Sequence, residues 1–273
     1  MAKGLSEKFD DAFSTKIWYC FEERVLQLIT YPNVHIAHFI DRPNRFIAEC
    51  RLKETGEMVT VHVKNTGRCK ELFYSDVEVA LSYQPSPKRK TDYDLIAVKK
   101  GEEWFNIDSQ VPNALAAQAL LNGTIRLPGL KGKITSVKRE KRFAQSQFDI
   151  LIETDTGNQA FVEVKGMTLE NRKIGAFPDA PTLRGLKHVT ELIEALQVGF
   201  QSYVLFVVQF EKVEATTIHT TMQPALAEMI LSGQKQGLSV IAYNCSVTPD
   251  TIAIEHQVPF DVTKTFEDPN SER

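Results

Sequence analysis

The sequence predicts an α/β chain, α+β overall, built as a small OB-like β-barrel followed by an α/β domain with a mixed central sheet. Three observations carry this. Apolar residues alternate with period two through five short runs between 34 and 107. The run 202–210, SYVLFVVQF, is almost wholly apolar, as a central strand covered on both faces must be. Two stretches of helical period, 185–198 and about 223–236, alternate with strands in the second half.

The elements follow in order. Residues 1–33 form a leader in which Phe13, Trp18, Phe21, Val25 and Leu28 recur at roughly helical spacing, so an amphipathic accessory helix is expected. The runs VHIAHFI, FIAECRL, MVTVHV, VEVALSY and DLIAVK, separated by turn signals such as Asp41-Arg42-Pro43-Asn44 and Thr55-Gly56, give a five-stranded barrel over 34–110. VPNALAAQALLN reads as a helix with Pro112 in its first turn and Gly123 as its stop. A basic connector closes the segment 111–146. The α/β domain spans 147–255, with Leu186, Val189, Leu192, Ile193 and Leu196 striping its first helix, and a tail runs over 256–273.

Composition narrows the function. The chain has 273 residues and a formal net charge of -3, so any nucleic-acid surface must be a local basic patch. No run of about eighteen apolar residues suggests a membrane span, and the polar, mixed-charge stretch MAKGLSEKFDDAFSTK lacks the apolar h-region of a secretory signal. Cys20, Cys50, Cys69 and Cys245 are widely spaced, which fits reduced thiols and a cytoplasmic location. No P-loop or Rossmann glycine pattern supports a metabolic enzyme.

Chemistry concentrates in FDILIETDTGNQAFVEVKG. Asp155, Gly157 and Asn158 make this a hairpin, and a turn centred on Thr156 sets Asp149 opposite Glu163. Phe148, Ile150, Ile152, Val162 and Val164 then share an apolar face, while Asp149, Glu163 and Lys165 share the other. Carboxylates on directly opposed positions, about 5 Å apart at Cβ, call for a cation between them. Mg2+ (or Mn2+) suits such oxygens. Lys165 on the same face can orient or deprotonate an attacking water and offset charge on a phosphate. A solvated cross-strand ion pair is the plainer alternative for Glu-x-Lys alone.

The order Asp, hairpin, Glu-x-Lys, helix, strand resembles the PD-(D/E)-x-K nuclease superfamily. RPNRFIAEC (42–50), HVKNTGRCKEL (62–72), KRKTDYDL (88–95), VEVKGMTL (162–169), FPDAPTLRGLKHVTEL (177–192) and GLSVIAYNCSV (237–247) together resemble the sugar fermentation stimulation protein family. That resemblance implies an OB-like N-terminal domain, a restriction-endonuclease-like C-terminal domain, nonspecific DNA binding and a regulatory link to sugar (maltose) metabolism. It makes Asp149 and Glu163 metal carboxylates, Lys165 the catalytic lysine and Gln209 an auxiliary polar residue. The sequence departs where the family often reads Ser-Arg-x-Asp: here it is Ser146-Gln147-Phe148-Asp149, without the arginine.

Three basic groups are candidate backbone contacts for DNA, with RNA the lesser expectation. Lys64, Arg68 and Lys70 surround the turn Asn65-Thr66-Gly67, whose N–H groups can face a phosphate. Lys88, Arg89 and Lys90 form a triplet, and Arg139 and Arg142 close a basic run that begins at Lys131. Arg184 and Lys187 crowd the first turn of a helix capped by Asp179 or Thr182, which favours an anion there. His188 is expected to be a packed or capping residue, and Pro178-Asp179 to have no catalytic role. The two competing readings are a metal-dependent nuclease and a non-catalytic DNA-binding regulator that keeps the nuclease fold.

Overall fold

The computed structural model describes residues 28–271 apart from Thr66, together with the backbone of two short segments before them. Those segments, Cys20–Phe21 (β1) and Arg24–Val25 (β2), pair antiparallel. Ile29–Thr30 (β3) then adds to the edge of the large sheet. The expected leader helix therefore does not run through Phe21 and Val25, because these segments find ladder partners instead. Phe13 and Trp18 lie outside the described residues.

The barrel forms as the alternation predicts. Its strands are Val34–Asn44 (β4), Ile47–Leu52 (β5), Met58–Val63 (β6), Glu78–Tyr83 (β7) and Tyr93–Lys100 (β8). Antiparallel pairs join β6, β5, β4, β7 and β8 in that order, and a parallel β6–β8 pairing closes the ring. Closure removes the open edges that such short strands would otherwise present. Alternate residues fill the interior, among them Ala37, Phe39, Cys50, Val61, Val79 and Leu81. Glu103–Asn106 (β9) pairs with β8 and leads to helix Val111–Leu121 (α1).

Helix α1 is apolar almost all round because it is covered on two sides. Val111, Leu115 and Leu120 pack between the barrel's outer residues Ala80, Ile96 and Ala97 and the sheet residues Ile150, Ile152, Val162 and Val164. That seven-stranded mixed sheet has the order β10-β11-β12-β15-β17-β18-β3. Its further strands are Ile134–Phe143 (β10), Ser146–Thr154 (β11), Gln159–Met167 (β12), Gln201–Val208 (β15), Ser239–Val247 (β17) and Thr251–Val258 (β18). A small side sheet holds Leu169–Asn171 (β13), Ile174–Phe177 (β14) and Ala215–Ile218 (β16). Helices Leu183–Gln197 (α2) and Pro224–Lys235 (α3) cover the other face of the large sheet through Val189, Leu192, Leu226 and Ile230.

Two expectations change here. The basic connector is strand β10, paired along its length with β11. Its charges conceal the strand because it lies at a sheet edge, with most of its side chains in water. Phe148 leaves the apolar face assigned to it, stacking on Phe143 and packing at a tilt against Phe161, while Ile150, Ile152, Val162 and Val164 keep theirs. The cause is a local break in pairing beside Asp149, described below. Cys50, Cys69 and Cys245 are free and buried. Among the described residues no helix is long and apolar enough to cross a membrane.

Candidate active site

The hairpin register pairs Ile150 with Val162, so the next position outward sets Asp149 against Glu163. At that step the regular ladder ends. The Asp149 carboxylate replaces a backbone acceptor: Oδ2 takes the Val164 N–H at 2.8 Å, and Oδ1 takes the side-chain amide of Asn113 from α1 at 2.8 Å. On the far side of β11, the facing residue of β10 is Glu140, whose φ of +56° lies in the left-handed region. The strand twists at this point, which turns Phe148 to the α2 side and leaves the carboxylate beside α1.

Glu163 points the other way and is 1% exposed. Its Oε1 accepts from Lys165 Nζ and from Nδ1 of His188 on α2. Thr182 caps α2 by accepting the Gly185 N–H at 2.9 Å, which fixes where His188 meets the sheet. Arg184 Nε donates to His188 Nε2 at 3.4 Å. Arginine can only donate, so Nε2 carries no proton and Nδ1 holds the one given to Glu163. His188 is thus packed, as expected, but packed against the central glutamate.

The two carboxylates sit in opposed electrostatic environments. Burial raises the Asp149 pKa, the Glu163 charge adds to this, and Lys165, the Val164 N–H and Asn113 offset it only in part. Burial also pushes Glu163 up, but the His188 hydrogen bond and the Lys165 ammonium outweigh it, so its pKa lies below the ordinary glutamate value. Glu163 Oε2 is buried without any hydrogen-bond partner. A buried carboxylate oxygen left bare is costly, and a cation satisfies it. Among the described residues no cluster of three or more His, Cys, Asp or Glu is arranged to hold a metal. The donor set here is two carboxylates, which fits magnesium better than zinc or calcium, because magnesium keeps several waters and takes few protein ligands.

Gln209 follows β15 and is buried, but its Nε2 donates to Asn106 Oδ1 at 2.9 Å and to the Asp108 carbonyl at 3.1 Å. It ties the barrel to the sheet rather than reaching the carboxylates through its amide nitrogen. Gly166 makes room for it: a Cβ there would collide with Gln209 Oε1 and stand 3.0 Å from Pro112 Cγ.

The cations divide. Lys64 Nζ pairs at 2.8 Å with Asp108, whose side chain is fully buried, so it is an internal counter-ion rather than a free phosphate contact. The Gly67 N–H is taken by Asn65 Oδ1 and the Cys69 N–H by Asp179 Oδ2, both at 2.7 Å, so these amides do not face a ligand. Asp179 therefore docks the barrel loop and does not cap α2. Arg68 and Lys70 remain exposed on that loop. Arg89 forks onto buried Asp94 and is likewise structural. Lys88 and Lys90 are exposed, but the parallel β6–β8 pairing puts their loop at the barrel end where β6 begins, away from the loop that Asp179 holds. Arg139, Lys141 and Arg142 are exposed on β10 beside Asp149, with no acidic partner among the described residues. Arg184 is exposed next to His188, and exposed Lys187 faces Glu191 at 3.6 Å. The structure thus gathers Asp149, Glu163, Lys165, Arg184 and the β10 edge into one region. Sequence reading passed over Asn113, whose only signal is a polar residue early in an apolar helix.

Comparison with known proteins accords with this architecture. Residues 40–107 match the SfsA N-terminal OB domain, and residues 110–251 match the sugar fermentation stimulation protein RE domain. A sugar fermentation stimulation protein homolog of Enterococcus mundtii is 58% identical over 240 residues, covering 88% of this chain and 99% of its own. The homolog of Clostridium tetani is 41% identical, covering 85% of this chain and 98% of its own. The solved structure of Pyrococcus furiosus SfsA in complex with Ca2+ superposes with a TM-score of 0.75 at 24% identity, covering 86% of this chain and 98% of that one, and so shares the fold. The chain belongs to the sugar fermentation stimulation protein family, with an OB-like barrel followed by a restriction-endonuclease-like domain.

Proposed function

We propose that the chain is a magnesium-dependent nuclease that binds DNA through its phosphate backbone and hydrolyses phosphodiester bonds at Asp149, Glu163 and Lys165. The observation that carries the reading is the bare, buried Oε2 of Glu163, whose charge acts on the Asp149 carboxylate and whose Oε1 accepts from Lys165. Asp149 and Glu163 would hold the metal. When bound, it supplies Lewis acidity, neutralising charge on the phosphate and easing ionisation of water. The solved relative from Pyrococcus furiosus is in complex with Ca2+, a hard dication.

The chain's own groups do the rest. Asn113 and the Val164 N–H orient Asp149, and His188 orients Glu163. Lys165, 19% exposed at its side chain, can hold the attacking water and donate to the phosphoryl oxygens. Arg139, Arg142 and Arg184 supply backbone contacts, with Arg68 and Lys70 extending the track onto the barrel. Contacts of this kind give salt-sensitive binding with weak sequence preference.

The test incubates wild type and Lys165→Ala with linear, nicked, branched and single-stranded DNA in magnesium or manganese. The nuclease reading expects metal-dependent cleavage that the variant loses while still binding. Equal binding with no cleavage of any substrate would instead support a DNA-binding regulator that keeps the fold.

A further inference from the structure

A second oxygen-rich site lies at the seam between the barrel, the segment leading into α2 and the C-terminal tail. Glu71, in the loop between β6 and β7, is 8% exposed. Its Oε2 accepts from Asn270 Nδ2 at 3.4 Å. Its Oε1 has no partner, and neither has the buried Oδ1 of Asn270. The Asp179 carboxylate adds a further negative charge close enough to act on Glu71. Lys100 offsets part of the Glu71 charge, but its Nζ is already engaged by the Glu170 carboxylate and carbonyl, and the nearby Arg42 guanidinium acts on Asp179. Two bare acceptors therefore lie on the contacting side chains of Glu71 and Asn270, within reach of the charge of Asp179, whose Oδ2 already takes the Cys69 N–H; leaving those two oxygens bare costs free energy unless a cation or proton intervenes.

We propose that this seam is a binding site for a hard cation of calcium's class, ligated by Glu71 Oε1 and Asn270 Oδ1 with Asp179 alongside. The donors are carboxylate and amide oxygens only, the set calcium takes, and calcium tolerates irregular geometry completed by water or carbonyls. A soft metal does not fit. The one thiol nearby, Cys69, is fully buried, and burial, then Asp179 and Glu71, push its pKa up, so it stays protonated. The seam joins elements far apart in sequence. Asp179 grips the Cys69 N–H, and the tail is further held where Asn171 Nδ2 donates to the Glu267 carbonyl and Thr217 Oγ1 to the Lys264 carbonyl. A cation here clamps the tail to the loop that carries Arg68 and Lys70. The inference stands apart from the proposed nuclease site and does not depend on it.

The experiment uses the full chain carrying Asp149→Asn and Glu163→Gln, which silences the other candidate metal site. Calcium is titrated by calorimetry and by thermal unfolding. One saturable site with a raised Tm is expected, weakened at least about tenfold by adding Glu71→Gln, since ligand charge sets calcium affinity. Asn270→Ala is expected to weaken it as well, and a chelator melt of each variant reports whether the fold is intact. Absence of calcium binding in the doubly substituted parent overturns the proposal. So does binding that neither Glu71→Gln nor Asn270→Ala alters, and a proton satisfying Glu71 in place of a cation would give the first of these results.

Discussion

Removing the His188 imidazole tests how Glu163 is held. Glu163 is 1% exposed, and His188 supplies one of its two hydrogen bonds. A hydrogen bond to a charged group contributes about 1.5–3 kcal/mol, and a neutral one about 0.5–1.5 kcal/mol. His188→Ala removes the charged kind when residue 163 is Glu and the neutral kind in the Glu163→Gln background. The cavity left by the imidazole is common to both and cancels. The coupling between the two substitutions is therefore expected at about 1–2 kcal/mol, read from urea unfolding of the four proteins at neutral pH with chelator present. His188→Asn should recover part of the loss, because its amide N–H falls near the position of Nδ1. A coupling below about 0.5 kcal/mol, the range of independent sites, would show that His188 merely fills space.

Three further outcomes follow from the geometry. Arg139→Ala with Arg142→Ala should lower the slope of log affinity against log salt for duplex DNA by nearly 2, about 0.9 per lost phosphate contact, whereas Lys88→Ala with Lys90→Ala should change it by less than about 0.5; equal effects would place the DNA track elsewhere. Gly166→Ala should destabilise the fold by about 1–3 kcal/mol in denaturant unfolding, because its Cβ would strike the Gln209 side chain that Asn106 and Asp108 hold in place; a neutral result would mean that this strut moves freely. Burial and then Asp179 raise the Glu71 carboxyl to about 7 from its ordinary 4.5. A raised carboxyl contributes stability below its unfolded pKa and loses it as pH rises through the folded one. In chelator, wild type should thus lose about 3 kcal/mol relative to Glu71→Gln between pH 4.5 and pH 8, and parallel stability curves would refute that environment.

Much of this was legible in the sequence, for physical reasons specific to each part. The barrel strands show because one face of each is buried and the other wet, so period two survives in the residues. The register at Thr156 was readable because hairpin turn chemistry and a buried face fix it together, and Ile150 does pair with Val162. Strand β10 was hidden because an exposed edge is free to be charged. The flip at Phe148 was hidden because it arises when Asp149 takes a ladder N–H, an exchange that alternation cannot anticipate. Lys64 and Arg89 looked like free cations because their partners, Asp108 and Asp94, are buried acids that only the folded chain brings to them. Asn113 and His188 share this lesson: each acts across elements, through a single hydrogen bond to a carboxylate.

The most direct measurement is single-turnover cleavage of end-labelled DNA, with enzyme in excess so that all substrate is bound. Wild type should release product in magnesium and none in chelator. Asp149→Asn, Glu163→Gln and Lys165→Ala should each bind the same DNA and lower the rate by at least about a hundredfold, the scale expected when a group that stabilises charge in the transition state is removed. Product formed equally by wild type and Lys165→Ala, or by neither at saturating magnesium, would contradict a catalytic role for this site.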